Sequence, residues 1–504
     1  MMGGNLSKLY CRLRMGVSEI GQDWFFPENP YWKGKLDILW GSILYLAGLI
    51  QWGNFFSWGR IDFNTGDWND ITGPRLHLIR DAALRLELPL HITNPLGLKG
   101  VTDRLLSIPD FFVSPQFFLL RYLDPGIFIL VDMFLFYSIG FAGLLYLCKR
   151  MKLSKSVWVI LFFIFNFNGH ITAHLSCGHI TWLGYFLMPF FVLFVFEMPH
   201  PFIRWGWILK ISLLGLLFYA QGSYHLWTGC ILFLAFLGLF KAAYRKNAFL
   251  GIVCSLLMNA FRILPAALIS GDLKVDYLTG FLDVGELINS LVKLVQPSEA
   301  LLLTTNKITH YIGWWEVDFF IGWMGFLFII ISHLYLGWLV GSKKITNRFS
   351  FLYLPVICMV TITVGRVFKP VFLLHIPLLE AERVPSRFLI VPLLILFVSG
   401  AWALQTFFNR FPIYPITRIV YFASLLWLIN DLQQHFELWS VSNANQVFLP
   451  AIGPAIFEKV NNHADPPYFI SLAVGLLISI VVLVFLVVQF YRQRRVEKQI
   501  QING

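Results

Sequence analysis

Long apolar runs alternate with shorter polar segments along almost the whole chain. About 20 apolar residues are needed to cross a bilayer as a helix, and the pattern predicts twelve such helices. They cover residues 36–57, 126–147, 156–168, 182–197, 205–221, 226–240, 247–266, 319–340, 351–366, 388–408, 414–430 and 468–490. Basic segments, residues 1–35 and 491–504, flank them. We therefore predict an all-α polytopic integral membrane protein with one transmembrane domain over residues 36–490.

Composition supports this prediction and excludes several other classes of protein. Of the 504 residues, 57% are hydrophobic and only 13% are charged, whereas soluble proteins carry about 25% charged residues. The net charge of +11 lies mostly at the ends of apolar segments, so no nucleic-acid partner is expected. The six cysteines show no CxxC spacing, which argues against a zinc ribbon or a redox motif.

The distribution of Lys and Arg predicts the orientation of the helices. Cytoplasmic loops carry an excess of these residues, and this rule places both termini in the cytoplasm. The long loops, residues 58–125, 267–318, 367–387 and 431–467, then all lie outside. We expect the functional site to be built from outer loops, because polar groups at membrane depth must line a cavity. The absence of an internal repeat weakens the interpretation as a transporter.

The first outer loop contains three aspartates directly after the first predicted helix. Among them, Asp67 and Asp70 are candidates to deprotonate a hydroxyl at the membrane surface, while Asp62 is a weaker one. Asp and Asn are also common N-caps, so a purely structural role remains open. An amphipathic helix is predicted over residues 75–88, after Pro74.

Histidines occur in a second predicted outer segment, and His225 lies in a third. His170 and His174 are spaced i, i+4 and share a face if helical, and His179 follows. We expect these histidines to make structural or substrate hydrogen bonds, with His174 and His179 as the candidate substrate contacts. Metal ligation is the alternative, although no carboxylate or cysteine pair in that segment completes a site. Tyr224 and His225 form a further short outer turn with possible substrate contacts.

Charged residues also lie at the outer mouths of the eighth and tenth predicted helices. Glu316 is a further candidate acid. Arg383 and Arg387 flank a proline, and paired arginines bind phosphate through charge-assisted hydrogen bonds. The alternative is that these arginines pair with Glu380 and Glu382 or with lipid headgroups.

Two charged residues fall within or at the end of predicted membrane helices. Asp132 lies in the second helix and Arg262 at the end of the seventh. We expect them to pair across the helix bundle, and Arg262 to contribute to binding a phosphate.

Four ordered motifs over about residues 36–410 resemble the GT-C superfamily of membrane glycosyltransferases, and within it the YfhO-like bacterial membrane proteins. The matching residues are Gly66-Asp67 with Pro74 and Leu88-Pro89-Leu90; Gly178-His179 with Trp182 and Pro189; Glu316 with Phe320-Ile321-Gly322; and Arg383-Val384-Pro385-Ser386-Arg387-Phe388. YfhO-like chains are usually longer and carry a soluble C-terminal domain. Asp70 and Glu316 both compete for the position of the family's second acid.

The resemblance implies a GT-C-like fold and the transfer of a sugar from a polyprenyl-phosphate donor to a glycan, lipid or protein acceptor. Asp67 would be the base, the transfer would invert the anomeric carbon, and no cofactor is expected. It also implies a prokaryotic inner-membrane location and contact with membrane lipid. Two alternatives stay open: a non-catalytic subunit of a membrane complex with partner subunits, and a transporter of lipid-linked sugars.

Overall fold

A computed structural model describes residues 24–26, 35–98, 101–199, 201–269, 278–300, 313–343, 349–374, 379, 382–448 and 458–503. Within these residues the chain is helical and forms no β-strand, so the all-α prediction is confirmed. Only isolated backbone bridges occur, such as that between Ile92 and Val460.

The helices are, in chain order, α1 (Lys35–Phe55), α2 (Gly73–Arg85), α3 (Pro125–Met151), α4 (Lys155–Phe167), α5 (Gly169–Ser176), α6 (Met188–Phe196), α7 (Trp205–Ala220), α8 (Tyr224–Phe240), α9 (Arg245–Met258), α10 (Ala260–Ala267), α11 (Val284–Val292), α12 (Pro297–Ala300), α13 (Gly322–Gly341), α14 (Ser350–Ile362), α15 (Gly365–Phe372), α16 (Ile390–Arg410), α17 (Pro415–Leu438), α18 (Val441–Val447) and α19 (Pro466–Asn503). Short 3-10 or π-type turns cover Ser57–Gly59, Trp68–Thr72, Pro95–Leu98, Leu105–Ser107, Pro115–Arg121, Ile180–Leu187, Ala242–Tyr244, Trp314–Glu316 and Pro385–Leu389.

Each predicted membrane segment overlaps a helix, but the helices differ in length. Among the described residues, five continuous helical stretches are long and apolar enough to cross a membrane, or six if a bent pair is counted. The bent pair is α9 with α10, which meet at 71° around Asn259. Several long apolar helices thus indicate a membrane-embedded protein, and the number of twelve remains a prediction.

Local sequence explains where several helices begin and end. Proline occupies the first position of α3 and α17, where its missing N–H costs no helical hydrogen bond. The side chain of Asn168 caps α5 by accepting the Ile171 N–H. The predicted amphipathic helix is present as α2, which ends where Leu86 adopts φ 60°.

The last helix of the chain includes the predicted basic tail. From residue 491 the tail continues α19 without a break as far as Asn503, and the end of the transmembrane domain at residue 490 stays a prediction. This last helix packs against α7, α9 and α10. Most of the N-terminal basic segment lies outside the described residues.

Candidate functional site

A cavity of about 290 Å³ collects side chains from the segments around Asp67, His179, Tyr224, Glu316 and Arg387. Its lining includes most of the predicted site residues, namely Asp67, Asp70, His179, Tyr224, His225, Glu316, Arg383 and Arg387. These residues come from positions as far apart as 67 and 387 in the chain. The structure therefore brings together most of the residues that the sequence motifs indicated separately.

Asp67 belongs to a chain of hydrogen bonds with two histidines on one wall. Its Oδ2 lies 2.6 Å from His179 Nε2, and His179 Nδ1 lies 2.8 Å from His174 Nδ1. A carboxylate only accepts, so Nε2 of His179 carries a proton and a neutral His179 accepts the proton of His174 Nδ1. The Asp67 side chain is 36% exposed, so a substrate can reach it while His179 fixes its orientation.

The local backbone explains why Asp67 meets His179. Gly178 turns the chain with φ +94°, and a side chain there would collide with Trp68. Trp68 donates its indole N–H to the Ser176 carbonyl over 2.8 Å. Thr72 Oγ1 donates to the Gly178 carbonyl. These two hydrogen bonds hold the turn Trp68–Thr72 against the turn after α5. Asp67 directly precedes the first of these two turns.

Arg387 also lines the cavity and is held there by a network of buried charges. Its Nε and Nη2 donate to the two Glu316 carboxylate oxygens over 2.7 and 2.6 Å. Its Nη1 lies 3.0 Å from His225 Nε2, and His225 Nδ1 lies 2.8 Å from Glu382 Oε2. The guanidinium also lies 5.7 Å from the ring centre of Trp182, a cation–π distance.

The charge of Arg387 determines the ionisation of Glu316. Burial favours the neutral carboxyl, but the charge of Arg387 and its hydrogen bonds outweigh burial and lower the pKa of Glu316 below its ordinary value. Glu316 is therefore an anion at neutral pH, but it is a poor proton acceptor, because its pKa is lowered and both its oxygens already accept hydrogen bonds from Arg387. Of the predicted acids, Asp67 and Asp70 retain that role, and Asp70 Oδ1 accepts a hydrogen bond from Asn69.

Three predicted residues, His174, Arg262 and Asp132, do not line the cavity. His174 is fully buried and is joined to the cavity through its hydrogen bond to His179. Arg262 does not line the cavity: it is fully buried, donates to the Ile108 carbonyl over 2.7 Å and lies over the ring of Tyr219. The predicted pair between Asp132 and Arg262 is wrong, because Asp132 accepts from the amides of Gln116 and Gln221 instead. Arg262 thus supports the backbone behind the cavity wall.

Sequence reasoning missed two contributions to the site. Arg75 pairs with Asp110 over 3.1 Å, and both line the cavity. Glu382, weighed only as an alternative partner for the arginines, is fully buried and binds His225. The sequence did offer a signal for Arg75 and Asp110. Charged residues are scarce in this chain, and both of these lie in the loop between the first two predicted helices.

The cavity also offers ligand atoms for a metal ion. His174, His179 and Glu316 each place one such atom within 4.8 Å of the others. The carboxylate that the histidine segment lacks in sequence is thus supplied from the segment before α13. The spacing of these atoms is that of a candidate cation site, but both Glu316 oxygens already accept hydrogen bonds from Arg387.

The chain matches no protein-family model, no curated protein and no solved structure.

Proposed function

We propose that the protein transfers a sugar from a polyprenyl-phosphate donor to an acceptor hydroxyl on the outer side of a prokaryotic inner membrane, with a GT-C-like fold. The observation that carries this proposal is the shared cavity, in which an accessible carboxylate, Asp67, faces the same space as Arg383 and Arg387. The ordered motifs of the sequence favour the same class of reaction.

The residues suggest how the reaction proceeds. Asp67 accepts the proton of the acceptor hydroxyl as that oxygen attacks the anomeric carbon, and His179 holds Asp67 in place. Attack and departure occur on opposite faces, so the anomeric configuration inverts and no covalent enzyme intermediate forms. The released phosphate lies with Arg383 and the remaining N–H groups of Arg387, because the Nε–Nη2 edge of the Arg387 guanidinium already binds Glu316 and one N–H of Nη1 faces His225.

The test is to measure polyprenyl-phosphate-linked sugars by mass spectrometry in cells that lack the gene and carry plasmid variants. We expect a donor to accumulate without the protein, and wild type to remove it. Asp67→Asn keeps the shape of the side chain but removes its basicity, so turnover should fall by about 10²–10⁴-fold. Asp62→Asn is the matched control, because Asp62 lies in the same loop, is exposed and does not line the cavity.

Three results would contradict parts of the proposal. Full activity of Asp67→Asn combined with loss in Asp70→Asn would move the base to Asp70. If Asp67→Asn, Asp70→Asn and Glu316→Gln all keep the donor at the wild-type level while deletion of the gene raises it, a non-catalytic subunit would be favoured. No change of any polyprenyl-linked sugar in the deletion strain would reject sugar transfer.

A further inference from the structure

Two histidines and two aspartates meet outside the cavity, next to the N-terminus of α19. His91, His463 and Asp465 place one ligand atom each within 4.8 Å of one another, and Asp103 adjoins His463. We propose that these four residues bind a divalent transition-metal ion of the zinc class. The proposal is independent of the reaction in the cavity.

Backbone hydrogen bonds bring these four residues together from distant parts of the chain. The Ile92 N–H donates to the Asp103 carbonyl over 3.0 Å, and the Asn461 N–H donates to the His91 carbonyl over 3.1 Å. Three short segments around residues 92, 104 and 460 therefore lie side by side. This pairing fixes the distance between the ligand residues before any ion binds, which lowers the entropic cost of binding.

The distances between imidazole and carboxylate atoms are longer than in charge-assisted hydrogen bonds and match the spacing of two ligands of one metal ion. His91 Nε2 lies 3.3 Å from Asp465 Oδ2, and His463 Nε2 lies 3.4 Å from Asp103 Oδ2. A charge-assisted hydrogen bond is roughly 2.7–2.9 Å long, as between His225 and Glu382 at 2.8 Å. Ligands about 2.0–2.1 Å from a tetrahedral zinc ion are about 3.4 Å apart.

The hydrogen bond at the other ring nitrogen of His463 also supports a bound cation. His463 Nδ1 lies 3.2 Å from the Asn461 carbonyl oxygen, which can only accept, so Nδ1 carries the proton. In neutral His463 the Nε2 lone pair then faces the Asp103 carboxylate. The Nε2 lone pair and the carboxylate oxygen repel each other in this position. A cation bound between them is coordinated by both atoms and removes the repulsion.

Charge and accessibility also suit a cation. Asp103 and Asp465 carry two negative charges, and Arg104 offsets one by donating to both Asp465 oxygens over 2.6 and 3.0 Å. Arg104 would remain a partner of the coordinating carboxylate and keep it oriented. The side chains of His463 and Asp103 are 47% and 30% exposed, so an ion can enter from solvent, whereas His91 is buried.

The donor set selects the class of ion. Imidazole nitrogen suits zinc, copper and nickel, whereas calcium and magnesium prefer oxygen-only sites. Two histidines with two carboxylates therefore favour Zn²⁺ over the alkaline-earth ions.

The experiment measures metal bound to the full-length protein in detergent. The protein is stripped with a chelator and equilibrated with micromolar Zn²⁺, and zinc per chain is counted by atomic emission. We expect His463→Gln and Asp465→Asn each to lose one equivalent relative to wild type. His77→Gln, a change of the same type in α2 outside both ligand clusters, should lose none. Bound Co²⁺ should give the intense visible absorption of a tetrahedral site, and His463→Gln should abolish it.

His179→Gln separates this site from the cavity cluster. Zinc that persists in His463→Gln and disappears in His179→Gln would assign the ion to the cavity and overturn the proposal. Absence of zinc from wild type under these conditions would overturn it as well. Because His463 is exposed, loss of metal without a change in circular dichroism would exclude misfolding as the cause.

Discussion

At the scale of single residues, the site depends on charges that neutralise each other inside the protein. Glu316 and Arg387 are both nearly buried, with side chains 10% and 11% exposed. A buried ion pair is costly to break, because removal of one partner leaves an uncompensated charge. The pair therefore ties the turn before α13 to the start of α16, and the position of Arg387 depends on Glu316.

We predict that Glu316→Gln destabilises the protein by about 3–5 kcal/mol at neutral pH. The lowered pKa of Glu316 makes this difference dependent on pH. It is fully present above the ordinary value of 4.5, because the carboxyl is ionised in both the folded and the unfolded state. It is lost as the pH falls through the lower pKa of the folded protein, where Glu316 becomes neutral.

Denaturant unfolding in detergent at pH 7 and at a series of acidic pH values measures this difference. Glu437→Gln is the control, since Glu437 is exposed and binds Gln433, and a surface change of this kind is usually worth within about 0.5 kcal/mol. An equal effect of the two variants, or a difference that grows as the pH falls, would contradict the interpretation of the pair.

At the scale of elements, the break between α4 and α5 positions the histidine wall. Asn168 is extended with ψ 160°, and Gly169 donates its N–H to the Phe320 carbonyl over 2.7 Å. A Cβ on Gly169 would collide with the Asp318 carboxylate. Asp318 in turn binds His435 of α17 over 3.0 Å. The start of α5, and with it His174, is thus packed directly against the segment that precedes α13.

Gly169→Ala should displace α5 and destabilise the protein by about 1–3 kcal/mol, as expected for overpacking. Gly337→Ala is the matched control, since Gly337 lies in α13 with open space around its Cβ position, and the change should be neutral or stabilising by up to about 1 kcal/mol. Thermal unfolding of both variants in detergent makes the comparison. A Gly169→Ala protein as stable as the Gly337→Ala protein would show that the contact tolerates a side chain.

At the scale of the whole molecule, the predicted orientation places the cavity on the outer face. Ala464 precedes α19 and is exposed, and Ala243 lies between α8 and α9 and is also exposed. In intact cells, a membrane-impermeant thiol reagent should label Ala464→Cys and not Ala243→Cys. The described native cysteines are free, and none of them is fully exposed, which limits background labelling. Labelling of Ala243→Cys alone would reverse the orientation and the side of the proposed reaction.

The sequence predicted the helices well, and it also indicated most of the residues around the cavity. Apolar runs and the charged residues between them are local features of the sequence, and they indicated Asp67, His179 and Arg387. Such local features do not predict which side chains bind one another. Arg387 binds Glu316, 71 positions away, although Glu382 is much nearer in sequence. The burial of two opposite charges does not make them a pair: Arg262 donates to a backbone carbonyl, and Asp132 accepts from two amide side chains.

The segment before α19 has a consequence for biosynthesis. Residues 459–461 bind the backbone around Ile92 and Thr93, and the loop from residue 92 onward supplies Leu98 and Val101 to the cavity lining. The rim of the cavity is therefore held by a segment that is synthesised after the segments that carry Asp67, His179 and Arg387. Until residues 459–461 have been synthesised, the rim lacks these hydrogen bonds, although the segments that carry Asp67, His179 and Arg387 already exist.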